Sequence, residues 1–445
     1  MAGNANRGSR EPRTVLEHLL WQQDRTYEEI AAEFDRIAQQ LNEDATLSTR
    51  HLRRLASGER SNTTPVTRRV LQSMFGKPLN ELLRPWEASA SHAAATTPSG
   101  LVVAAGQPDI DKELITLAAR RAKHFALTAN QGDLTNEAME QIHDDVRRLA
   151  TDYPQRPLSE LLGDLLQVQE TLYTLLEKRQ RPEQSRQIYF LTGVTSGLLA
   201  KASHDLADPH AAMTQARAAY LCAENADHNG LRAWIRGLQS LISYWAGRPR
   251  ESVKYAQSGT EFALRSQSTA AVWLPVSAAR AWAALGNSGE THAAIRQAEE
   301  AWDAVRSDEV DELGGLCTFG RSRQIYYAAD ALSWLPSEAR AAQEYGEQAV
   351  DAYADEDSPE WAFGDAAGSR ADLAIARIGL GDLEGAEDAV SPILDLDQEN
   401  RINGIVHSAL RVHKALSRST LAAPGSELQE RIEMFTRTPL KALPR

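Results

Sequence analysis

The chain has 445 residues, of which 42% are hydrophobic and 24% are charged, and its formal net charge is −13. This length predicts two or more folded domains, and two cysteines are too few for a disulfide framework or a cysteine-rich metal site. No apolar run reaches the roughly 20 residues of a transmembrane helix, and the polar start has no signal-peptide core, so we expect a cytoplasmic protein without membrane contact.

Charge is distributed unevenly along the chain. Residues 1–86 carry 13 basic and 11 acidic side chains, a net charge of +2, whereas the remainder carries 35 basic and 50 acidic ones, a net charge of −15. This asymmetry fits a small nucleic-acid-binding module joined to a larger body that phosphate would repel. Residues 1–13 are polar and are predicted to be a disordered leader.

A small helical domain is predicted over residues 14–84. Its first helix is expected over Thr14–Gln23. The second is expected over Thr26–Leu41, where Thr26 and Glu29 have the spacing of a capping box. After the third helix, described next, Pro65–Phe75 is amphipathic and Pro78–Leu83 predicts one further turn.

The third helix, within LSTRHLRRLASGER (47–60), is the one that indicates function. Ser48 is placed to cap its start, Leu52 and Leu55 face inward, and Gly58 is a natural stop. Residues 46–69 contain one acidic residue and six arginines, which are Arg50, Arg53, Arg54, Arg60, Arg68 and Arg69. A short helix with an arginine-rich outer face suits a phosphate-lined groove, although a solvated basic face is the alternative.

The order of these helices resembles a Cro/repressor-type (XRE) helix-turn-helix domain. Thr26–Ala31 stands at the family's T-x-x-E-L-A start, residues 47–55 at its V-S-x-x-x-I-S-R-I segment, and Gly58 and Pro65 at its glycine and proline. The segment 39–46 is longer than the family's tight turn. The resemblance implies base reading by Thr49, Arg50 and Arg54. It implies phosphate contacts by Tyr27, Arg53, Arg60, Ser61, Asn62, Arg68 and Arg69.

A linker and a helical region follow. Residues 85–108 are rich in Ala, Ser and Thr with little charge, which predicts a linker. Residues 109–192 are predicted to be a helical connecting region, with helices expected over 109–129, 135–151 and 158–178 and a fourth beginning at Glu183.

Repeated helix pairs are predicted over residues 193–437, before a short tail at 438–445. Gly or Pro recurs at the joints, and Gly247 to Gly286 spans 39 residues, a spacing typical of an α-solenoid. AIARIGLGDLEGAEDAVSPI (374–393) resembles a tetratricopeptide (TPR) repeat, with Gly381 and Asp382 at its turn. The predicted fold class is therefore all-α: a helix-turn-helix domain followed by an α-solenoid of TPR-like pairs.

The solenoid is the expected binding site for an effector. Tryptophans and arginines share several of its helices, and the first helices of such repeats line a concave surface. Aromatic residues at helical spacing also commonly form the core between repeats. The ligand-binding candidates are Trp234, Arg236, Arg280, Arg323, Tyr327 and Trp361.

Catalytic, metal and cofactor motifs are not found in the sequence. There is no H-E-x-x-H, C-x-x-C, EF-hand, G-x-x-x-x-G-K-[ST] or G-x-S-x-G pattern. We therefore expect no enzyme activity, no catalytic residues, no metal and no cofactor.

The layout resembles that of peptide-sensing (RRNPP-type, quorum-sensing) regulators, and the Ala- and Arg-rich usage suggests an actinobacterial relative. This resemblance implies a transcription regulator that binds operator DNA and senses a peptide, small ligand or protein partner. A homodimer is expected because one short helix reads too few base pairs for useful specificity. The alternative is a TPR scaffold that mediates protein–protein interaction without specific DNA binding.

Overall fold

The computed structural model describes residues 12–22, 26–40, 46–58, 63–75, 79–84 and 135–440. The predicted linker, the leader up to residue 11, the helix expected over 109–129 and the end of the tail lie outside these ranges. No β-strand occurs in the part of the chain that is described, and the fold is all-helical, as predicted. The chain divides into two compact units, Met1–Gly106 and Gln107–Arg445, each of which is described by itself below.

The described residues of the first unit form five helices. They are α1 (Val15–Gln22), α2 (Tyr27–Gln40), α3 (Thr49–Ala56), α4 (Pro65–Phe75) and α5 (Leu79–Leu82). Helix α2 packs against α3 and α4, and α1 packs against α3 and α5. The predicted capping box is confirmed, since the backbone N–H of Thr26 donates to Glu29 Oε2 at 2.8 Å and that of Glu29 to Thr26 Oγ1 at 3.2 Å.

The core of this unit consists of the apolar stripes of its helices. Phe34 of α2 and Leu52 and Leu55 of α3 are fully buried. The hydroxyl of Thr14 donates to the backbone oxygen of Ala56 at 2.6 Å, which attaches the end of α3 to the start of α1. One side of α3 therefore packs against α1 and α2, while its other side faces solvent.

The described part of the second unit, residues 135–440, contains helices α6 and α7 followed by six consecutive pairs. The helices are α6 (Asn136–Asp152), α7 (Leu158–Leu176), α8 (Pro182–Asp205), α9 (Pro209–Asn225), α10 (Asn229–Trp245), α11 (Pro249–Ser266), α12 (Ala270–Ala284), α13 (Ser288–Ala301), α14 (Arg321–Ser333), α15 (Ala339–Ala352), α16 (Phe363–Leu380), α17 (Leu383–Leu394), α18 (Asn403–Ser417) and α19 (Ser426–Thr436).

Consecutive helices of this unit pack against each other, and so do the first helices of successive pairs, from α8 to α18. This is the packing of an α-solenoid with TPR-like pairs. The predicted boundary at residue 193 falls inside α8, because the break lies at Pro182 and the helix runs unbroken to Asp205. The turn predicted at Gly381 is present, with a φ of +85° that favours glycine, and Asp382 caps α17 through Gly385.

The solenoid winds far enough for its two ends to meet. Helix α18 contacts α8, and the backbone N–H of Phe363 donates to the carbonyl of Pro154 at 3.1 Å. The aromatic rings of Trp245 and His407 lie 6.2 Å apart. As a result, much of the inner surface that an open solenoid would expose is buried in this unit.

Among the connections between helices α6 to α19, one is much longer than the others and enters the interior. Residues 302–320, here called the strap, join α13 to α14 and contain three short 3₁₀ helices (Trp302–Ala304, Asp311–Leu313 and Gly315–Cys317). Gly315, with a φ of +53°, lies so close to α6 that a Cβ there would be 2.1 Å from the carbonyl oxygen of Ala150. The strap is thus fitted against α6.

Candidate functional site

The outer face of α3 is strongly cationic. Arg50, Arg53 and Arg54 are exposed on it, and Thr49 is half-buried. The guanidinium of Arg53 lies 5.2 Å from the centre of the Tyr27 ring on α2, a cation–π contact that positions it at the junction of the two helices. The first turn of α3 is capped by Ser48, whose Oγ accepts the backbone N–H of His51 at 3.3 Å.

The remaining candidates for DNA contact are divided between α4 and undescribed residues. Arg68 and Arg69 are exposed on α4 of the same unit. Arg60, Ser61 and Asn62 lie outside the described residues, as does part of the long α2–α3 connection. The roles assigned to these residues, and to those of α3, stay predictions.

The interior of the solenoid unit contains a small cavity of about 70 Å³. Its wall comes from the ends of several first helices together with the strap and the α6–α7 turn. It is lined by Tyr153, Pro154, Lys201, Asp205, Trp234, Leu238, Leu241, Trp273, Leu316, Cys317, Phe319, Arg323, Tyr327, Ala362, Phe363, Gly364, Asp365 and Ile402. A cavity of this volume has room for a few water molecules or for part of one small ligand, since about 10–15 Å³ of such space admits one water molecule.

Packed aromatic rings form one side of this cavity. The rings of Trp273 and Phe319 are stacked, with centroids 5.7 Å apart and planes 15° apart, and Tyr327 meets Phe319 edge-on at 5.3 Å. Trp234 completes the wall from α10 and is 2% exposed. Because Trp273, Phe319 and Tyr327 pack against one another, each of these three rings has a defined position.

Two glycines allow the tryptophans to lie where they do. A Cβ on Gly197 of α8 would be 2.2 Å from the ring of Trp234, and a Cβ on Gly237 of α10 would be 2.5 Å from that of Trp273. Gly197 belongs to the Gly193-x-x-x-Gly197 segment of the sequence, and this spacing of glycines is typical of helices that pack closely. The small residues of the inner helices therefore position the aromatic wall.

Two ion pairs lie on the cavity wall. Lys201 Nζ lies 2.6 Å from Asp205 Oδ2, and the hydroxyl of Tyr153 donates to the same oxygen at 2.8 Å. Across the cavity, Arg323 Nε donates to Asp365 Oδ2 at 2.6 Å. Burial opposes the charge of Arg323, but Asp365 outweighs that effect and raises the pKa of the guanidinium.

The strap supplies Leu316, Cys317 and Phe319 to the wall and is held by side chains of the inner helices. The indole N–H of Trp234 donates to the backbone oxygen of Leu316 at 3.2 Å, and the backbone N–H of Phe319 donates to Thr269 Oγ1 at 2.9 Å. Burial raises the pKa of the Cys317 thiol well above its ordinary value, so the thiol is protonated and unreactive while the strap is closed.

The six ligand-binding candidates separate into two groups. Trp234, Arg323 and Tyr327 line the cavity. Arg236, Arg280 and Trp361 do not; Arg236 stacks on Tyr220 at 3.8 Å and donates to Gln239. A ligand-binding role for any of the six stays a prediction.

Arg280 belongs to a buried ionic network. It pairs with Asp330, which also pairs with Arg411 and accepts the hydroxyl of Tyr244 at 3.0 Å. Although burial opposes its charge, the two guanidiniums hold the pKa of Asp330 below its ordinary value. Burial and the neighbouring Asp330 raise the pKa of Asp372, 3.2 Å from Arg411, well above its ordinary value. These residues connect α10, α12, α14, α16 and α18.

Sequence reasoning did not select Lys201, Asp205, Phe319 or Asp365 as site residues. Lys201 and Asp205 have the i, i+4 spacing of an ordinary surface pair, and Phe319 lies in a connection with no periodic pattern. The feature of the sequence that could have indicated this region is the length of the 302–320 connection, because a long loop in a compact domain is commonly functional.

The described residues contain neither a cluster suited to a metal ion nor a helix suited to a membrane. No cluster of three or more His, Cys, Asp or Glu side chains placed to hold a metal ion is present in them. Over the same ranges, no helix is long and apolar enough to span a bilayer.

Comparison with known proteins does not assign this chain to a family. No family model and no curated protein matches the chain. Among solved structures it is similar to a Rap protein complexed with competence and sporulation factor, at 10% sequence identity and a TM-score of 0.37, over 67% of this chain and 96% of that one. A likeness of this size does not bear on what this chain binds.

Proposed function

We propose that the chain is a cytoplasmic transcription regulator that binds operator DNA through α3 and senses a ligand in the solenoid. The main support for DNA binding is that α3 has one buried apolar face and one exposed basic face. Leu52 and Leu55 are fully buried on one face, while Arg50 and Arg54 are exposed on the other. A short, firmly packed helix with such a face can enter a major groove, where arginine binds phosphates and guanine edges.

The N-terminal unit supplies further support beside α3. Arg68 and Arg69 extend the basic surface along α4, and the cap at Ser48 places the start of α3 in a defined conformation. Phosphate contacts from such flanking residues would fix the orientation of α3 on the duplex. A homodimer belongs to the proposal, because two half-sites are needed for useful specificity.

The proposed regulatory step is a shift in population between two arrangements of the paired N-terminal units. A ligand can shift that equilibrium only by the difference in its affinity for the two arrangements. The interior cavity is the proposed place for this ligand, because it combines an aromatic wall with buried polar groups.

The test is selection of bound sequences from random DNA with the full-length protein, followed by titration of the selected site. The double variant Arg50→Glu, Arg54→Glu should weaken binding at least 100-fold, on the order of 3 kcal/mol or more for two lost arginine contacts. The matched control is Arg250→Glu, Arg296→Glu, which reverses two exposed arginines of the solenoid and should leave affinity within about threefold. Enrichment of no sequence would contradict DNA recognition.

The second candidate is a scaffold that binds protein partners. It is favoured by large apolar side chains exposed on second helices, with Leu221 of α9 64% exposed and Leu264 of α11 68% exposed. If random DNA yields no enriched sequence, the double variant Leu221→Ser, Leu264→Ser would decide whether this surface binds a protein.

A further inference from the structure

The interior of the solenoid already holds a length of the chain's own backbone. The carbonyl of Leu316 accepts the indole N–H of Trp234 at 3.2 Å, and the carbonyl of Thr318 accepts Arg323 Nη1 at 3.2 Å. Thr269 Oγ1 accepts the backbone N–H of Phe319 at 2.9 Å. Side chains that could hold the backbone of an extended peptide therefore hold the strap instead.

The space that remains beside the strap is limited and largely apolar. The cavity of about 70 Å³ has Trp234, Trp273, Phe319 and Tyr327 on its wall. Two of these rings are stacked with planes 15° apart, and Tyr327 packs edge-on against Phe319, so the wall presents apolar ring surface to a ligand. A small cavity with an aromatic, apolar wall suits one compact aromatic molecule.

The charges around the cavity balance. Its lining contains four charged side chains, and they form two pairs, Lys201 with Asp205 and Arg323 with Asp365. None of the four is more than 20% exposed. A charged ligand would have to break one pair or remain unpaired itself, and either outcome is costly in a buried site. An uncharged molecule meets no such cost.

We propose that this cavity binds a small uncharged aromatic molecule, and that it does not take an extended peptide. The inference rests on the proposed function only in treating the cavity as the sensing site. It names the class of ligand from the geometry of the strap, the rings and the two ion pairs.

Two fluorescent probes with one aromatic frame test the proposal on the full-length protein without DNA. N-phenyl-1-naphthylamine is uncharged, and 8-anilino-1-naphthalenesulfonate has the same rings with an added sulfonate. We expect the uncharged probe to bind with a Kd in the micromolar range and the sulfonate to bind at least tenfold more weakly. Equal or tighter binding of the sulfonate, or no binding of the uncharged probe, would overturn the proposal.

Alkylation of Cys317 locates the bound probe. In a Cys222→Ser protein the remaining thiol lies on the cavity wall, so saturating uncharged probe should slow its alkylation at least tenfold. In a Cys317→Ser protein the probe should leave the alkylation rate of Cys222, on α9, unchanged. Binding without protection of Cys317 would place the probe elsewhere and refute the proposal.

A pair of conservative variants gives an independent measurement. Phe319→Leu removes one ring of the stack and should weaken the uncharged probe about tenfold, whereas Phe262→Leu on α11 should not. If Phe319→Leu fails to fold, protection of Cys317 still decides. A failed DNA selection would leave these results intact, and absence of probe binding would leave DNA recognition intact, so the two failures are distinguishable.

Discussion

Trp234 and Leu316 are 82 residues apart in the chain, and the indole N–H of the first donates to the backbone oxygen of the second at 3.2 Å. This bond joins an inner helix, α10, to the strap. A flexible connection would not keep so specific a partner, and Cys317, the next residue, is 1% exposed. The strap is therefore an ordered part of the solenoid interior.

Removing that hydrogen bond should loosen the strap. Trp234→Phe keeps an aromatic ring but deletes the donor, at a cost of about 1 kcal/mol. We expect Cys317 to be alkylated roughly fivefold faster in a Cys222→Ser background, because opening of the strap exposes the thiol. Trp282→Phe, at the end of α12 away from the strap, is the matched control and should leave the rate unchanged.

The strap should also respond to pH through Asp308. Burial is the main cause that raises the pKa of this carboxyl from 3.8 to about 6, with Asp311 and Glu309 adding to it, while two backbone N–H groups at 3.0 Å oppose the rise. The pKa of Asp308 is higher in the folded state than in the unfolded state. The contribution of Asp308 to the stability of the folded strap is therefore fully present below about pH 3.8 and is lost as the pH rises through about 6.

Asp308→Asn should remove this dependence. The amide oxygen can still accept the same two N–H groups, while the buried charge disappears. We expect the variant's strap to be more stable than the parent's at pH 7.5 by roughly 1–3 kcal/mol and little different at pH 4. Hydrogen exchange of the strap amides at both values is the measurement, and an unchanged pH slope in the variant would contradict the assignment to Asp308.

Gly197 should tolerate no side chain. A Cβ there would lie 2.2 Å from the Trp234 ring, so Gly197→Ala must displace that ring or separate α8 from α10. Although alanine favours a helix by about 1 kcal/mol over glycine, we expect a net loss of roughly 2 kcal/mol or more. Gly163→Ala on α7, where a Cβ meets nothing within 4 Å, should instead be stabilising in the same denaturant titration.

The buried ionic network should be sensitive to the loss of its central acid. Asp330→Asn leaves Arg280 and Arg411 without their shared carboxylate, and Arg280 is 2% exposed. We expect a loss of about 3–5 kcal/mol in the free energy of unfolding. Tyr244→Phe deletes only one hydrogen bond to Asp330 and should cost about 1 kcal/mol. Equal losses in the two variants would show that the charge is not the dominant contribution.

Much of the fold could be predicted because its signals are local. The bounds of α4, Pro65–Phe75, agree with the sequence interpretation, and so do the capping box at Thr26 and the turn at Gly381. Each depends on residues within a few positions of one another. The predicted start of the solenoid at residue 193 lies inside α8, which begins at Pro182 and continues to Asp205.

The sequence by itself determined the helices, the all-α solenoid class and the arginine-rich face of α3, because helix periodicity, caps and glycine stops act over one or two turns. Only the tertiary structure decided what fills the interior. Contacts such as Trp234 with Leu316 and Gly197 with Trp234 join residues that are distant in the chain, and no periodic pattern encodes them. The same winding that brings α18 against α8 buries Arg280 and leaves Arg323 beside a cavity that the strap closes.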